Sequence, residues 1–88
     1  MSDDIEVRRR RAAWRAAHRG TKELDLLVGR FAEERLSGMS GEELARFERF
    51  LAVTEPQIQA WLLGPPPGDV AFEFSDVVAE IRKFHGLG

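Results

Sequence analysis

An all-α fold, a small single-domain five-helix bundle, is predicted by three observations. The apolar residues recur at helical spacing, helix-start signals stand at regular intervals, and no stretch alternates as a strand would. Ile5 to His18 is rich in Arg and Ala and contains no breaker, so it predicts a first helix. Gly20 fits the C′ position of that helix, where a residue without Cβ is favoured. Thr21 then serves as N-cap of a second helix, leaving almost no loop. Leu24, Leu27, Val28 and Phe31 give it a core-facing stripe, and Gly29 marks a place for close helix approach. Ser37-Gly38-Met39 ends it near Leu36.

Ser40-Gly41-Glu42-Glu43 has the form of a capping box and opens a third helix, with Leu44, Phe47, Phe50 and Leu51 on one side. Thr54-Glu55-Pro56-Gln57 repeats that logic for a short fourth helix, from which Ile58, Trp61 and Leu62 face inward. Gly64-Pro65-Pro66-Pro67-Gly68 stops it. The last helix ends near His85-Gly86. A start with Asp69 as N-cap aligns Val70, Phe74, Val77, Val78 and Ile81, and is preferred over a start at Ser75. The domain is expected to span residues 1–88, with 1–6 disordered and 86–88 a frayed tail.

Composition narrows the function. The 88 residues contain no Cys, which removes disulfides and zinc-finger chemistry. No apolar run approaches the ~20 residues needed to span a bilayer. The acidic start Met1-Ser2-Asp3-Asp4-Ile5-Glu6 lacks a signal-peptide core, so a bacterial cytoplasmic protein without membrane insertion is expected. The net charge of −2 hides an asymmetry. Residues 5–22 hold seven basic side chains against Glu6, whereas residues 23–88 hold six basic and twelve acidic ones. One face is therefore suited to an anionic partner or to solvent.

With His18 and His85 as the only histidines, and no nucleophile elbow or phosphate-binding loop, a catalytic set and a metal site are both unexpected. The alternative is a small nucleic-acid-binding or antitoxin-like protein using Arg8-Arg9-Arg10-Arg11 and Arg15. It is opposed by a pI near 5.7 and a second helix that displays core residues. The corner Arg19-Gly20-Thr21-Lys22-Glu23 stands out. Local physics explains each residue singly, Arg19 and Glu23 as complements to helix dipoles and Gly20 as a cap.

The run Trp14-Arg15-Ala16-Ala17-His18-Arg19-Gly20-Thr21-Lys22-Glu23-Leu24-Asp25-Leu26-Leu27 resembles the signature of the SdhE family of flavinylation factors for succinate dehydrogenase. Its Arg-Gly-x-x-Glu motif is matched by Arg19, Gly20 and Glu23, and its Leu-Asp continuation by Leu24 and Asp25. Phe31, the Leu44-to-Leu51 segment, Glu55-Pro56 and Trp61-Leu62 resemble later landmarks, so the similarity runs from Arg9 to Phe84. Glu55 replaces a common Asp, and the triple proline is unusual.

The resemblance implies an assembly factor, not an enzyme. It would bind the flavoprotein subunit of succinate dehydrogenase, and often of fumarate reductase, as a free monomer. It would promote autocatalytic attachment of FAD to a His of that subunit, through attack on a quinone-methide-like flavin at its 8α-methyl. Cofactor and nucleophile both belong to the partner, so no stably bound cofactor is expected here. Arg19, Gly20 and Glu23 would contact the partner, flanked by Arg15, His18 and Asp25.

Overall fold

The computed structural model describes residues 4–64 and 72–87, with Phe72 described for its backbone only. Among the described residues five α-helices follow one another: α1 (Ile5–Ala17), α2 (Lys22–Arg35), α3 (Gly41–Leu51), α4 (Glu55–Leu63) and α5 (Ser75–Phe84). Short 3₁₀ turns at Leu36–Gly38 and Phe72–Phe74 lead into α3 and α5, and no strand occurs among the described residues. The all-α expectation holds.

α1 begins at Ile5, inside the stretch expected to be disordered, because the Asp4 side chain accepts from the Glu6 N–H and starts the helix. α1 and α2 fold back on each other, and Gly29 is where they touch. A Cβ built there would lie 3.1 Å from the Ala17 Cα. The close approach expected at Gly29 is present, and Ala12 and Ala16 on α1 are buried in the same seam. Arg8 ties α1 to α3 through a two-pronged contact with Glu48, Nη2 to Oε1 at 2.6 Å and Nε to Oε2 at 3.3 Å. Arg9 bonds Glu6 and, at 2.9 Å, the Met39 carbonyl.

The core runs as a chain of rings. Phe31 meets Phe47, Phe47 meets Phe50, and Phe50 meets both Trp61 and Phe74, all with centroids 5.9–6.4 Å apart. Each such pair adds about 0.5–1.5 kcal/mol beyond the area it buries. Leu24, Val28, Leu44, Ile58, Leu62, Val78 and Ile81 fill the space around the rings with essentially no exposure.

Three expected details differ. The Ser40 capping box forms in full, but Thr54 makes no side-chain cap bond, so α4 opens on backbone geometry and Pro56 alone. The last α-helix starts at Ser75 rather than after Asp69. Residues 65–71, with Val70 of the expected stripe, lie outside the described residues. The 3₁₀ turn before Ser75 winds more tightly than an α-helix and still buries Phe74 beside Phe50 and Trp61.

The tail at Gly86-Leu87 is anchored instead of frayed. The Leu87 N–H donates to the Arg82 carbonyl at 2.8 Å, and the Arg82 guanidinium donates to the Leu87 carbonyl at 2.9 Å. Gly88 lies outside the described residues.

Candidate functional site

The Arg19-to-Glu23 corner is built by four local decisions. α1 ends at Ala17, earlier than expected, with His18 as its cap. Gly20 therefore sits two residues beyond the cap, not at C′. Its φ of +115° makes the chain reverse, in a region that side-chain-bearing residues avoid. Thr21 starts α2 as expected, its Oγ1 accepting from the Leu24 N–H at 3.2 Å. Asp25 closes the corner by accepting from the Arg19 backbone N–H.

Arg19 points inward. Its guanidinium donates from Nη1 to the Leu51 carbonyl and from Nη2 to the Val53 carbonyl at 3.1 Å. These are acceptors at the C-terminal end of α3, where a cation is favoured by the helix dipole. Arg19 thus clamps the α1–α2 corner onto the end of α3, and its Nε is buried with no partner among the described residues.

The remaining motif residues face outward. Glu23 and Arg15 are exposed and make no ion pair or side-chain hydrogen bond among the described residues. His18 turns back on its own helix, with Nδ1 2.7 Å from the Trp14 carbonyl. A carbonyl only accepts, so Nδ1 carries the proton and the exposed Nε2 is left as an acceptor in the neutral ring. The same ring stacks on the Trp14 indole at 4.2 Å between centroids and 13° between planes. Trp14 is 64 % exposed and Leu26 is 53 % exposed, the two largest exposures among the described bulky apolar side chains.

The sequence points to six residues: Arg15, His18, Arg19, Gly20, Glu23 and Asp25. The structure brings Arg19, Gly20 and Asp25 into one hydrogen-bonded corner. Glu23, Arg15 and His18 lie on the adjoining surfaces of α2 and α1. Two further participants, Trp14 and Glu55, stand in the stretches that resemble the family but are not among those six. Trp14 is placed by its stack with His18. The Glu55 carboxylate reaches the Gly20 backbone from 35 positions away: a Cβ on Gly20 would stand 2.8 Å from Glu55 Oε1 and 2.9 Å from Oε2.

A groove of about 580 Å³ lies elsewhere, between the C-terminal end of α2, α3 and α5, and no residue of the corner lines it. Among the described residues no three His, Asp or Glu converge as metal ligands, and no helix is long and apolar enough to cross a membrane. The corner is a hydrogen-bonded, mixed-charge turn with an aromatic flank. Such a surface suits contact with another macromolecule, where exposed Trp and Arg are typical anchors.

Comparison with known proteins shows the family. The sequence profile of the Sdh5 family, described as flavinator of succinate dehydrogenase, matches residues 10–85. The chain belongs to this family. It is 43% identical over 65 residues to the FAD assembly factor SdhE of Acetobacter pasteurianus, covering 74% of this chain and 60% of that one. It is 32% identical over 73 residues to the SdhE of Legionella pneumophila, covering 83% and 89%. Against the mitochondrial succinate dehydrogenase assembly factor 2 of Debaryomyces hansenii it is 39% identical over 59 residues, or 67% and 42%. The chain thus spans about three-fifths of the Acetobacter relative and under half of the Debaryomyces one. Arg19, Gly20 and Glu23 fall within the matched region.

Proposed function

We propose that this chain binds the flavoprotein subunit of succinate dehydrogenase and promotes covalent attachment of FAD to it, without supplying a catalytic group of its own. The observation that carries this reading is the division of labour at the corner. Arg19 and Asp25 are spent on internal hydrogen bonds that make the corner stiff, while Glu23 and Arg15 are left unpaired on its outside. Arg19 is therefore a positioning residue, and Glu23 with Arg15, His18 and Trp14 forms the contact surface.

Rigid presentation lowers the entropy lost on docking. A docked factor that holds the partner's flavin and nucleophilic His in line lowers the barrier by positioning alone. The attachment itself is then autocatalytic within the partner, and FAD is the partner's cofactor. The same surface serves fumarate reductase wherever its flavoprotein presents an equivalent face. A free monomer in the bacterial cytoplasm suits such a transient role.

The nucleic-acid alternative loses support because Arg8 and Arg9 of the basic run are engaged by Glu48, Glu6 and the Met39 carbonyl. Co-expression with the flavoprotein subunit, read by in-gel flavin fluorescence, tests the proposal. Glu23→Ala should lower covalent flavin at unchanged helicity, and Gly20→Arg should lower it further. Wild-type levels of flavin with both variants would remove the corner from the mechanism.

A further inference from the structure

The Glu55 carboxylate lies directly over the one backbone position of the corner that has no side chain. The space a Gly20 Cβ would fill is closed by Oε1 at 2.8 Å, Oε2 at 2.9 Å and Cδ at 3.2 Å. Glu55 is half-buried, yet among the described residues its carboxylate accepts no hydrogen bond and joins no ion pair. Arg19, the residue next to Gly20, turns its terminal nitrogens to the Leu51 and Val53 carbonyls and forms no ion pair with Glu55. A carboxylate held in place without a counter-charge is open to a charge-assisted hydrogen bond from a cation that arrives.

We propose that Gly20 and Glu55 form an anionic notch on the docking corner, which receives an arginine or lysine side chain of the flavoprotein subunit. The inference rests on the corner being the docking face. It assigns the motif glycine a second task besides its positive φ, since any Cβ there would displace the carboxylate from the notch. It also makes the first residue of α4 part of a surface otherwise drawn from α1 and α2. The notch reads charge and shape together: a guanidinium or ammonium can approach the Glu55 oxygens across the bare Gly20 backbone, where a side chain would obstruct it.

The test is the affinity of the purified full-length chain for the purified flavoprotein subunit of succinate dehydrogenase, measured calorimetrically at low and high salt. Glu55→Gln keeps the shape and removes the charge. It should weaken binding about tenfold at low salt, with a smaller gap at high salt and an unchanged melting temperature. Glu55→Asp, which keeps the charge, should bind within about twofold of wild type, by the same reasoning on charge pairs. Glu80→Gln, on α5 away from the corner, serves as the control and should bind as wild type.

If Glu55→Gln fails to fold, Glu55→Ala removes the same charge with a better helix former. A charge-removing variant that folds and binds as tightly as wild type overturns the notch while leaving the docking role standing. A Glu55 that acts only on the α4 helix dipole would shift the melting temperature and leave affinity unchanged, which also overturns it. Failure of wild type itself to bind the flavoprotein subunit would remove both.

Discussion

Arg19 donates to the Val53 carbonyl at 3.1 Å, so the tip of the α1–α2 corner is tied to the exit of α3. A second bond from the same guanidinium reaches the Leu51 carbonyl. Charge-assisted hydrogen bonds contribute about 1.5–3 kcal/mol each when partly buried. Arg19→Ala removes both and should lower stability by about 3–6 kcal/mol, seen as an earlier urea midpoint. Arg19→Lys should recover little of it, since an ammonium cannot span two carbonyls as a planar fork does. Full stability in both variants would show that the clamp carries no load.

Residues near one another in the chain were readable, and residues brought together by folding were not. The Ser40 capping box, the Thr21 cap and the stripes of α2 and α3 all follow from local spacing, and the structure contains them. The Arg-Gly-x-x-Glu motif identified the corner. Its direction was hidden, because whether Arg19 faces a partner or the Leu51 and Val53 carbonyls depends on where α3 ends in space. Glu55 was legible only as a substitution for a common Asp, and its contact with Gly20 is set by the packing of α4. Arg82 gave no signal at all, since an Arg among Val and Ile at helical spacing reads as surface.

Gly29 governs how closely α1 and α2 pack. A Cβ there would sit 3.1 Å from the Ala17 Cα and 3.3 Å from its Cβ. The first of these is backbone, so relief requires the helices to separate. Gly29→Ala sets a helix-propensity gain of about 1 kcal/mol against that crowding and should leave stability near wild type. Gly29→Val places two more carbons in the seam and should cost about 1–3 kcal/mol in thermal or urea melts. Because Ala17 lies two residues before the corner, Gly29→Val should also lower flavinylation by more than an equally destabilising change in α5.

Arg82 is 9 % exposed and organises the C-terminal half. Its Nη1 donates to the Leu62 carbonyl at 2.8 Å and the Trp61 carbonyl at 3.2 Å, while Nη2 holds Leu87. These bonds satisfy the end of α4 and tie down the chain terminus. Arg82→Met keeps the apolar stem and abandons the carbonyls, which should cost about 2–3 kcal/mol. The loss should be accompanied by faster amide exchange at Leu87, whose N–H bonds the Arg82 carbonyl. Protection at Leu87 equal to wild type would show that the tail is held by something else.

Glu43 supplies a pH-dependent element. The Ser40 backbone N–H donates to its Oε1 at 2.8 Å, and the Ser40 hydroxyl accepts from the Glu43 N–H at 3.2 Å. The Ser40 backbone bond first, then the Ser40 side chain and the charge of Arg46, hold the Glu43 carboxyl below its usual range. A carboxyl whose folded pKa is depressed adds stability above its unfolded pKa of about 4.3, and loses that contribution as pH falls through the lower folded value. Glu43→Gln removes the titration while keeping an acceptor for the Ser40 N–H. Its stability deficit relative to wild type should be constant from pH 8 to pH 6, as expected well above a carboxylate pKa, and shrink steadily below about pH 4.3. Thermal melts of the two proteins across that range measure it directly, and a deficit that persists undiminished at pH 3, below any ordinary carboxylate pKa, would place the effect outside the capping box.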